Sequence, residues 1–323
     1  MPFALPIGMV SSFIGLTMLI LAPNYPLILV SVLFLGLGSA VFHPEGSRVS
    51  FMAAGNKRGL AQSIYQVGGN SGQALAPLIS AFLILPFGMY GASVVLILTA
   101  IGIFMLTKIA IWYRKQLEEE KLSKVKKVLV SSLPPLTKKQ VGIALSLLLV
   151  IIFARSFYVT NITNFYVFYL IQEYGLTIEK GQLLIFLFMA CGVVGTFFGG
   201  SLSDRIGRKN VILISVVVPI PLCLALPYVP LWLVVILLIV IGSLIMISFS
   251  VTVVYAQELV PTKIGTMAGL TVGLAFGMGA IGSVLIGILM DKIGIETTMM
   301  IISALPILML VALALPRDQV AKG

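Results

Sequence analysis

Long apolar segments recur along the whole chain, and they constrain its fold more than any other feature. The composition is 59% hydrophobic and only 10% charged, whereas soluble domains are about 45–50% apolar and about 25% charged. Each segment has roughly 20 residues, enough to cross a bilayer as a helix, and none alternates in polarity as barrel strands do. The sequence therefore predicts an all-α, polytopic transmembrane helical bundle. Its ten predicted spans are residues 6–22, 26–43, 60–85, 89–112, 140–170, 181–203, 210–229, 231–256, 265–290 and 297–315.

The basic residues are distributed unevenly between the two sets of loops. A net charge of +10 could suggest a nucleic-acid partner, but one set of alternate loops holds only Lys180 and Lys292. This asymmetry is typical of the positive-inside rule. It predicts an integral, multi-pass protein of the plasma (inner) membrane with both termini cytoplasmic, a lipid partner and no nucleic acid. The cytoplasmic set is Arg48, Lys57, Arg58, Arg114, Lys115, Lys121, Lys124, Lys126, Lys127, Lys138, Lys139, Arg205, Arg208, Lys209, Lys263, Arg317 and Lys322.

One long polar stretch divides the chain. It predicts a partial N-terminal bundle of four spans at 1–113, a cytoplasmic linker at 114–139 and a C-terminal six-helix bundle at 140–323. The linker is expected to be solvated or to lie on anionic headgroups, and a protein-binding role is the alternative.

A weak internal repeat relates the two parts. The third and ninth spans begin with similar sequences at Gly59 and Gly265, each preceded by a lysine and, further upstream, a glutamate. Matched spans six helices apart indicate two halves of six. We therefore expect the chain to lack the first two spans of a twelve-span fold.

A charged turn with two glycines separates the sixth and seventh spans. It follows the pattern G-x-L-x-D-R-x-G-R-K. Asp204 can cap a helix start and pair with basic neighbours, and the glycines permit close packing and a left-handed bend. The residues of the pattern are Gly200, Asp204, Arg205, Gly207, Arg208 and Lys209.

This turn resembles the loop signature of the major facilitator superfamily of transporters. The resemblance implies that the six residues form a conformational latch, a charge cluster that steadies the outward-facing state by touching a neighbouring helix. A plain topogenic loop is the alternative.

A second stretch narrows the resemblance. The string H-P-E-x-S-R begins at His43, and G-x-A-Q-S-x-x-Q-V-G-G-N-x-G begins at Gly59. Together they resemble the fosmidomycin resistance protein branch of the superfamily. The resemblance implies proton-coupled efflux of a small molecule by alternating access, with a fosmidomycin-like phosphonate as one candidate substrate. A metabolite uptake permease of the same fold and a truncated, non-transporting fragment remain alternatives.

Four amides form a polar stripe on the third span. Gln62, Gln66, Asn70 and Gln73 follow one another at helical spacing. Because amides facing lipid are costly, the stripe is predicted to face a substrate path or to form interhelical hydrogen bonds.

Arg155 is a charged residue deep inside the fifth span. A charge at mid-membrane costs about 2.5–3.5 kcal/mol on insertion scales, so such residues are usually paired or line a cavity. Tyr158 and Asn161 follow it in an unusually polar helix. We expect these three residues to line the substrate path, where the arginine fork suits a phosphonate or carboxylate. A structural ion pair is the alternative.

His43 and Glu45 lie where the second span meets the cytoplasm. Either could take part in proton coupling, since histidine titrates near neutral pH, or both could serve in capping and in a salt bridge to Arg48. His43 is the chain's one histidine, so a metal site is not expected. No nucleophile–base arrangement and no phosphate-binding loop is present, which argues against an enzyme or an ATP-driven pump. We expect no cofactor, and a monomer.

Overall fold

The computed structural model describes residues 2–55, 57–79, 83–122 and 136–317. Within these ranges the chain is helical and no strand occurs, which confirms the all-α prediction. The predicted linker lies partly outside the described residues, at 123–135. The α-helices are α1 (Ala4–Ile20), α2 (Tyr25–Ala53), α3 (Arg58–Ile79), α4 (Leu85–Phe87), α5 (Ser93–Leu122), α6 (Lys138–Tyr174), α7 (Ile178–Ile206), α8 (Arg208–Val217), α9 (Pro219–Ala225), α10 (Leu231–Met246), α11 (Phe249–Leu259), α12 (Ile264–Ile293) and α13 (Ile295–Ala304).

Eight helical segments among the described residues are long and apolar enough to cross a membrane. The other two predicted spans are also helices, but each falls short in one respect. α1 is apolar and has 17 residues, whereas α3 has 22 residues but carries the amide stripe. Polar residues on one face of α3 lower its mean hydropathy, so length and composition alone do not mark it as a span.

Several membrane segments consist of more than one helical piece. Segment Arg208–Tyr228 comprises α8, α9 and a short 3₁₀ helix, Leu226–Tyr228. Gly207, with a φ of 93° that glycine adopts without steric cost, separates this segment from α7. Segment Leu231–Leu259 is interrupted between α10 and α11. The last segment continues beyond α13 as a 3₁₀ helix, Leu305–Ala314, which begins next to Pro306.

Two compact units make up the fold. The first comprises Met1–Val49 and Ala76–Val130. In it, α1 packs on α5, and it meets α2 at a glycine crossing where a methyl group on Gly38 would overlap the Gly8 carbonyl. The hydroxyl of Ser11 on α1 donates to the carbonyl of Phe34 on α2.

The second unit comprises Ser50–Leu75 and Ser131–Gly323, so it includes most of α3. The 37-residue helix α6 lies at its centre and packs on α7 and α12. A capping box begins α6, because the Thr137 hydroxyl accepts from the Gln140 N–H and the Gln140 side chain accepts from the Thr137 N–H. Gly175, with a φ of 62°, ends it.

Candidate functional site

Asp204 caps the first turn of α3. Its two carboxylate oxygens accept hydrogen bonds from the backbone N–H groups of Gly59 at 3.1 Å and Leu60 at 3.0 Å. These N–H groups have no partner within their own helix, and they form the positive end of its dipole. A carboxylate near the end of α7 therefore holds the start of α3 by main-chain contacts alone.

The same carboxylate begins a chain of charged side chains. Arg208 Nη2 lies 3.6 Å from Asp204 and 2.9 Å from Oε1 of Glu258. Arg58, the first residue of α3, donates to the same Glu258 oxygen at 3.5 Å. The Glu258 side chain is only 1% exposed, so its burial depends on these two cations. Asp204, Arg208, Glu258 and Arg58 thus form a closed charge network, together with the N–H groups that follow Arg58.

Close helix packing brings the network together. A methyl group on Gly200 would overlap the backbone carbonyl of Gly59 and the hydroxyl of Ser63. The backbones of α3 and α7 therefore approach as closely as two glycines allow. One turn further along α3, the hydroxyl of Ser63 lies 2.8 Å from the hydroxyl of Ser250 on α11, and both residues are buried.

The remaining residues of the predicted latch loop have different surroundings. Arg205 is exposed and belongs to none of the ion pairs in the described part of the chain. Lys209 donates to the carbonyl groups of Leu313 and Leu315 at the end of the last helix. Of the predicted latch side chains, Asp204 and Arg208 are the two within the charge network.

The amide stripe of α3 is buried along three of its four residues. Gln62, Gln66 and Asn70 are buried, whereas Gln73 is exposed. The Asn70 side-chain amide donates to the Thr196 hydroxyl on α7 at 3.1 Å. Gln66 Nε2 is buried and has no hydrogen-bond partner among the described residues. The stripe therefore includes an interhelical hydrogen bond and, at Gln66, a buried amide donor with no partner among the described residues.

Arg155 lies in the middle of α6 and is 3% exposed. Its guanidinium donates to the hydroxyls of Ser248 and Thr252 and lies 5.0 Å from the centre of the Phe249 ring. Within the described ranges it takes part in no ion pair. The groups that contact the arginine in the described ranges are therefore neutral.

Tyr158 and Asn161 are fully buried. Tyr158 lies in the hydrophobic core cluster that also contains Ile162 and Cys223. Asn161 donates to the backbone carbonyl of Phe157 at 2.6 Å, and its side-chain oxygen has no partner in the part of the chain described. Both side chains are packed within the second unit.

His43 and Glu45 lie in the first unit, on α2. Glu45 pairs with Arg48 at 3.8 Å, and the Arg48 guanidinium lies 6.0 Å from the centre of the buried Tyr113 ring. The salt bridge considered for Glu45 is present. In the described ranges, no group of three or more histidine, cysteine, aspartate or glutamate residues could hold a metal ion.

Sequence reasoning did not single out two members of the charge network, Glu258 and Arg58, as site residues. The internal repeat contained the available signal, because Glu258 is the repeat counterpart of Glu45. Ser248 and Thr252 were also missed, since isolated hydroxyls in an apolar segment are common. Only the fold shows that they meet a buried charge.

A helical membrane bundle with this charged loop defines a class of transporter. The chain belongs to the Major Facilitator Superfamily, whose family model matches residues 2–272. It is therefore a multi-pass membrane transporter and not an enzyme.

Two relatives match nearly the whole chain. An uncharacterized MFS-type transporter of Bacillus subtilis (strain 168), YfnC, is 51% identical over 320 residues, which cover 98% of this chain and 78% of the relative. The fosmidomycin resistance protein of Escherichia coli (strain K12) is 41% identical over 319 residues, covering 99% of this chain and 78% of the relative.

Solved structures share the fold. The crystal structure of FucP in the outward conformation has a TM-score of 0.71 at 15% identity, and covers 97% of this chain and 82% of its own. A variant of the Escherichia coli fucose:proton symporter FucP has a TM-score of 0.66 at 16% identity, with 97% of this chain and 83% of its own covered.

Proposed function

We propose that this transporter exports a small molecule from the cytoplasm in exchange for protons, by alternating access. The main support for this proposal is that the Asp204 carboxylate caps the first turn of α3. A junction made of two hydrogen bonds and a few ion pairs can open and close within a transport cycle, whereas a continuous apolar interface is harder to separate. The charge network formed by Asp204, Arg208, Glu258 and Arg58 acts as the conformational latch.

The fosmidomycin resistance relative supports the outward direction and suggests the first substrate to test. At 41% identity over 99% of this chain, a similar transported molecule is the simplest expectation. We propose a fosmidomycin-like phosphonate.

The substrate path comprises the four amides of α3 and the polar side chains of α6. Gln66 offers an unused donor, and Arg155 offers a cation held only by neutral groups. Polar groups of this kind are retained inside membrane segments where they line a route or pair with each other. The proposed path residues are Gln62, Gln66, Asn70, Gln73, Arg155, Tyr158 and Asn161.

Proton coupling is assigned to His43 and Glu45. Both can change charge, and both lie on α2 close to the basic residues that mark the cytoplasmic surface. The same charge asymmetry supports a plasma-membrane protein with both termini in the cytoplasm. The division into bundles 1–113 and 140–323 joined by a linker belongs to this proposal, as does a monomeric state.

Vesicle transport tests the function directly. The protein is reconstituted into liposomes, a proton gradient is imposed in either direction, and labelled fosmidomycin is followed with and without a protonophore. We expect accumulation in liposomes with an acidic interior and its loss with the protonophore. Accumulation driven by an inward proton gradient would instead indicate uptake by symport. No movement under either gradient would reject transport of fosmidomycin by this chain.

A further inference from the structure

One membrane segment of the second unit is interrupted near its middle. Segment Leu231–Leu259 comprises α10, which ends at Met246, and α11, which begins at Phe249. The hydroxyl of Thr196 on α7 donates to the Met246 carbonyl at 3.2 Å. The two residues between these helices, Ile247 and Ser248, keep right-handed helical dihedral angles, and the Ile247 N–H donates to the Leu244 carbonyl three residues earlier. The interruption is therefore a local change in helical hydrogen bonding.

Arg155 reaches this interruption from the middle of α6. Its Nη1 donates to the hydroxyl of Ser248 at 3.2 Å, and both Nη atoms lie 3.4 Å from the hydroxyl of Thr252. Ser248 is the N-cap residue of α11. The contacts place the guanidinium beside the first turn of α11.

Arg155 is a buried cation without a charged partner. It is 3% exposed and has no carboxylate partner in the described ranges. A buried charge that is held only by neutral groups is incompletely compensated, and the arginine fork matches two oxygens of a carboxylate or phosphonate. The position therefore favours an anionic ligand.

We propose that Arg155, Ser248 and Thr252 form an oxyanion subsite that binds the carboxylate or phosphonate end of the transported molecule. This inference rests on the proposed function and gives it a substrate class with a defined location. Ser248 and Thr252 accept hydrogen bonds from the guanidinium through their hydroxyl oxygens. Both are hydroxyl donors, and Thr252 now donates to the Phe249 carbonyl at 2.9 Å. If the two hydroxyls donate to a ligand oxyanion instead, the oxyanion receives up to two hydrogen bonds in addition to those from Arg155.

Ligand-induced stabilisation tests the subsite without requiring transport. The unfolding midpoint of the protein in lipid nanodiscs is measured against the concentration of propylphosphonate, with butyramide as an uncharged comparator at equal ionic strength. The wild type is expected to be stabilised by propylphosphonate and not by butyramide. Arg155→Gln should raise the apparent Kd for propylphosphonate at least tenfold.

Two milder variants keep the test informative if Arg155→Gln does not fold. Arg155→Lys retains the charge but loses the two-oxygen fork, and Thr252→Val removes one hydroxyl at constant shape, so each should raise the apparent Kd severalfold. Thr271→Val is the matched control, because Thr271 is equally buried but donates to the Met267 carbonyl on its own helix. Its apparent Kd should equal that of the wild type.

The outcomes separate the subsite from the transport function. Unchanged propylphosphonate binding in Arg155→Lys and Thr252→Val, or equal effects in Thr271→Val, would overturn the subsite. Stabilisation of the wild type by neither compound would overturn it as well. Binding that depends on Arg155, together with no proton-driven movement in liposomes, would reject the transport function and retain the subsite.

Discussion

The side-chain amide of Asn70 on α3 donates a hydrogen bond to the hydroxyl of Thr196 on α7, at 3.1 Å. Asn70 lies on the same face of α3 as Gly59 and Ser63. On this face, Gly59 packs against Gly200, and the hydroxyl of Ser63 contacts the hydroxyl of Ser250. The spacing 59, 63, 70 follows one face of a helix. Asn70 therefore takes part in a polar seam along α3, and the other buried amides flank this seam.

The polar seam predicts a specific disulfide cross-link between α3 and α11. In a background with Cys191→Ala and Cys223→Ala, the pair Ser63→Cys and Ser250→Cys should form a disulfide on mild oxidation, because the two hydroxyl oxygens lie 2.8 Å apart. If α3 must leave this position during transport, oxidation should abolish transport and reduction should restore it. Loss of free thiols, measured by maleimide labelling, reports the bond.

A control pair defines the specificity of this cross-link. Ile64 is next to Ser63 in the chain but is 57% exposed. Ile64→Cys with Ser250→Cys should therefore keep both thiols free under the same oxidation. Efficient cross-linking of the Ser63 pair with undiminished transport would mean that the seam stays closed throughout the cycle.

Asp204→Asn should slow transport while leaving membrane insertion intact. An amide has one oxygen for the two N–H groups of Gly59 and Leu60 and no charge for the helix dipole. A lost N-cap typically costs ~1 kcal/mol, so a latch equilibrium should shift about fivefold. Initial transport rates in liposomes measure this. Arg205→Gln is the matched control, because Arg205 is exposed in the same turn, and its rate should stay close to wild type.

Much of the fold could be predicted from the sequence, because the length of an apolar segment can be read from consecutive residues. The helices appeared near the predicted spans, and Asp204 was expected to cap a helix start. That its target is the start of α3, about 145 residues away, could not be predicted, because it depends on tertiary packing. The interruption before Phe249 was also missed, since the surrounding segment contains no proline.

Gly200→Val should destabilise the protein. Its side chain would overlap the Gly59 carbonyl and force α3 away from α7, and overpacking of this kind typically costs about 1–3 kcal/mol. Thermal unfolding in nanodiscs measures the loss. Gly142→Ala in the first turns of α6 meets no atom within 4 Å, so it should be neutral or stabilising by about 0.5–1 kcal/mol. Equal unfolding midpoints for both variants would contradict the close approach.

Glu258→Gln should be strongly destabilising, because Arg208 and Arg58 would lose their shared carboxylate. Removing one partner of a buried ion pair typically costs about 3–5 kcal/mol. The double variant Glu258→Gln/Arg208→Gln should recover part of the lost unfolding free energy, because one uncompensated cation is removed with it. If the loss of unfolding free energy in the double variant equalled the sum of the losses in the two single variants, the side chains of Glu258 and Arg208 would not be coupled.

The contact between Asp204 and main-chain N–H groups has a consequence for sequence divergence. A carboxylate that binds peptide groups does not depend on which side chain occupies position 60, so related chains can vary there and preserve the junction. Position 59 has no such freedom, because a methyl group would strike Ser203 and the Gly200 carbonyl. Position 60 should therefore tolerate many substitutions, whereas the neighbouring position 59 should tolerate almost none.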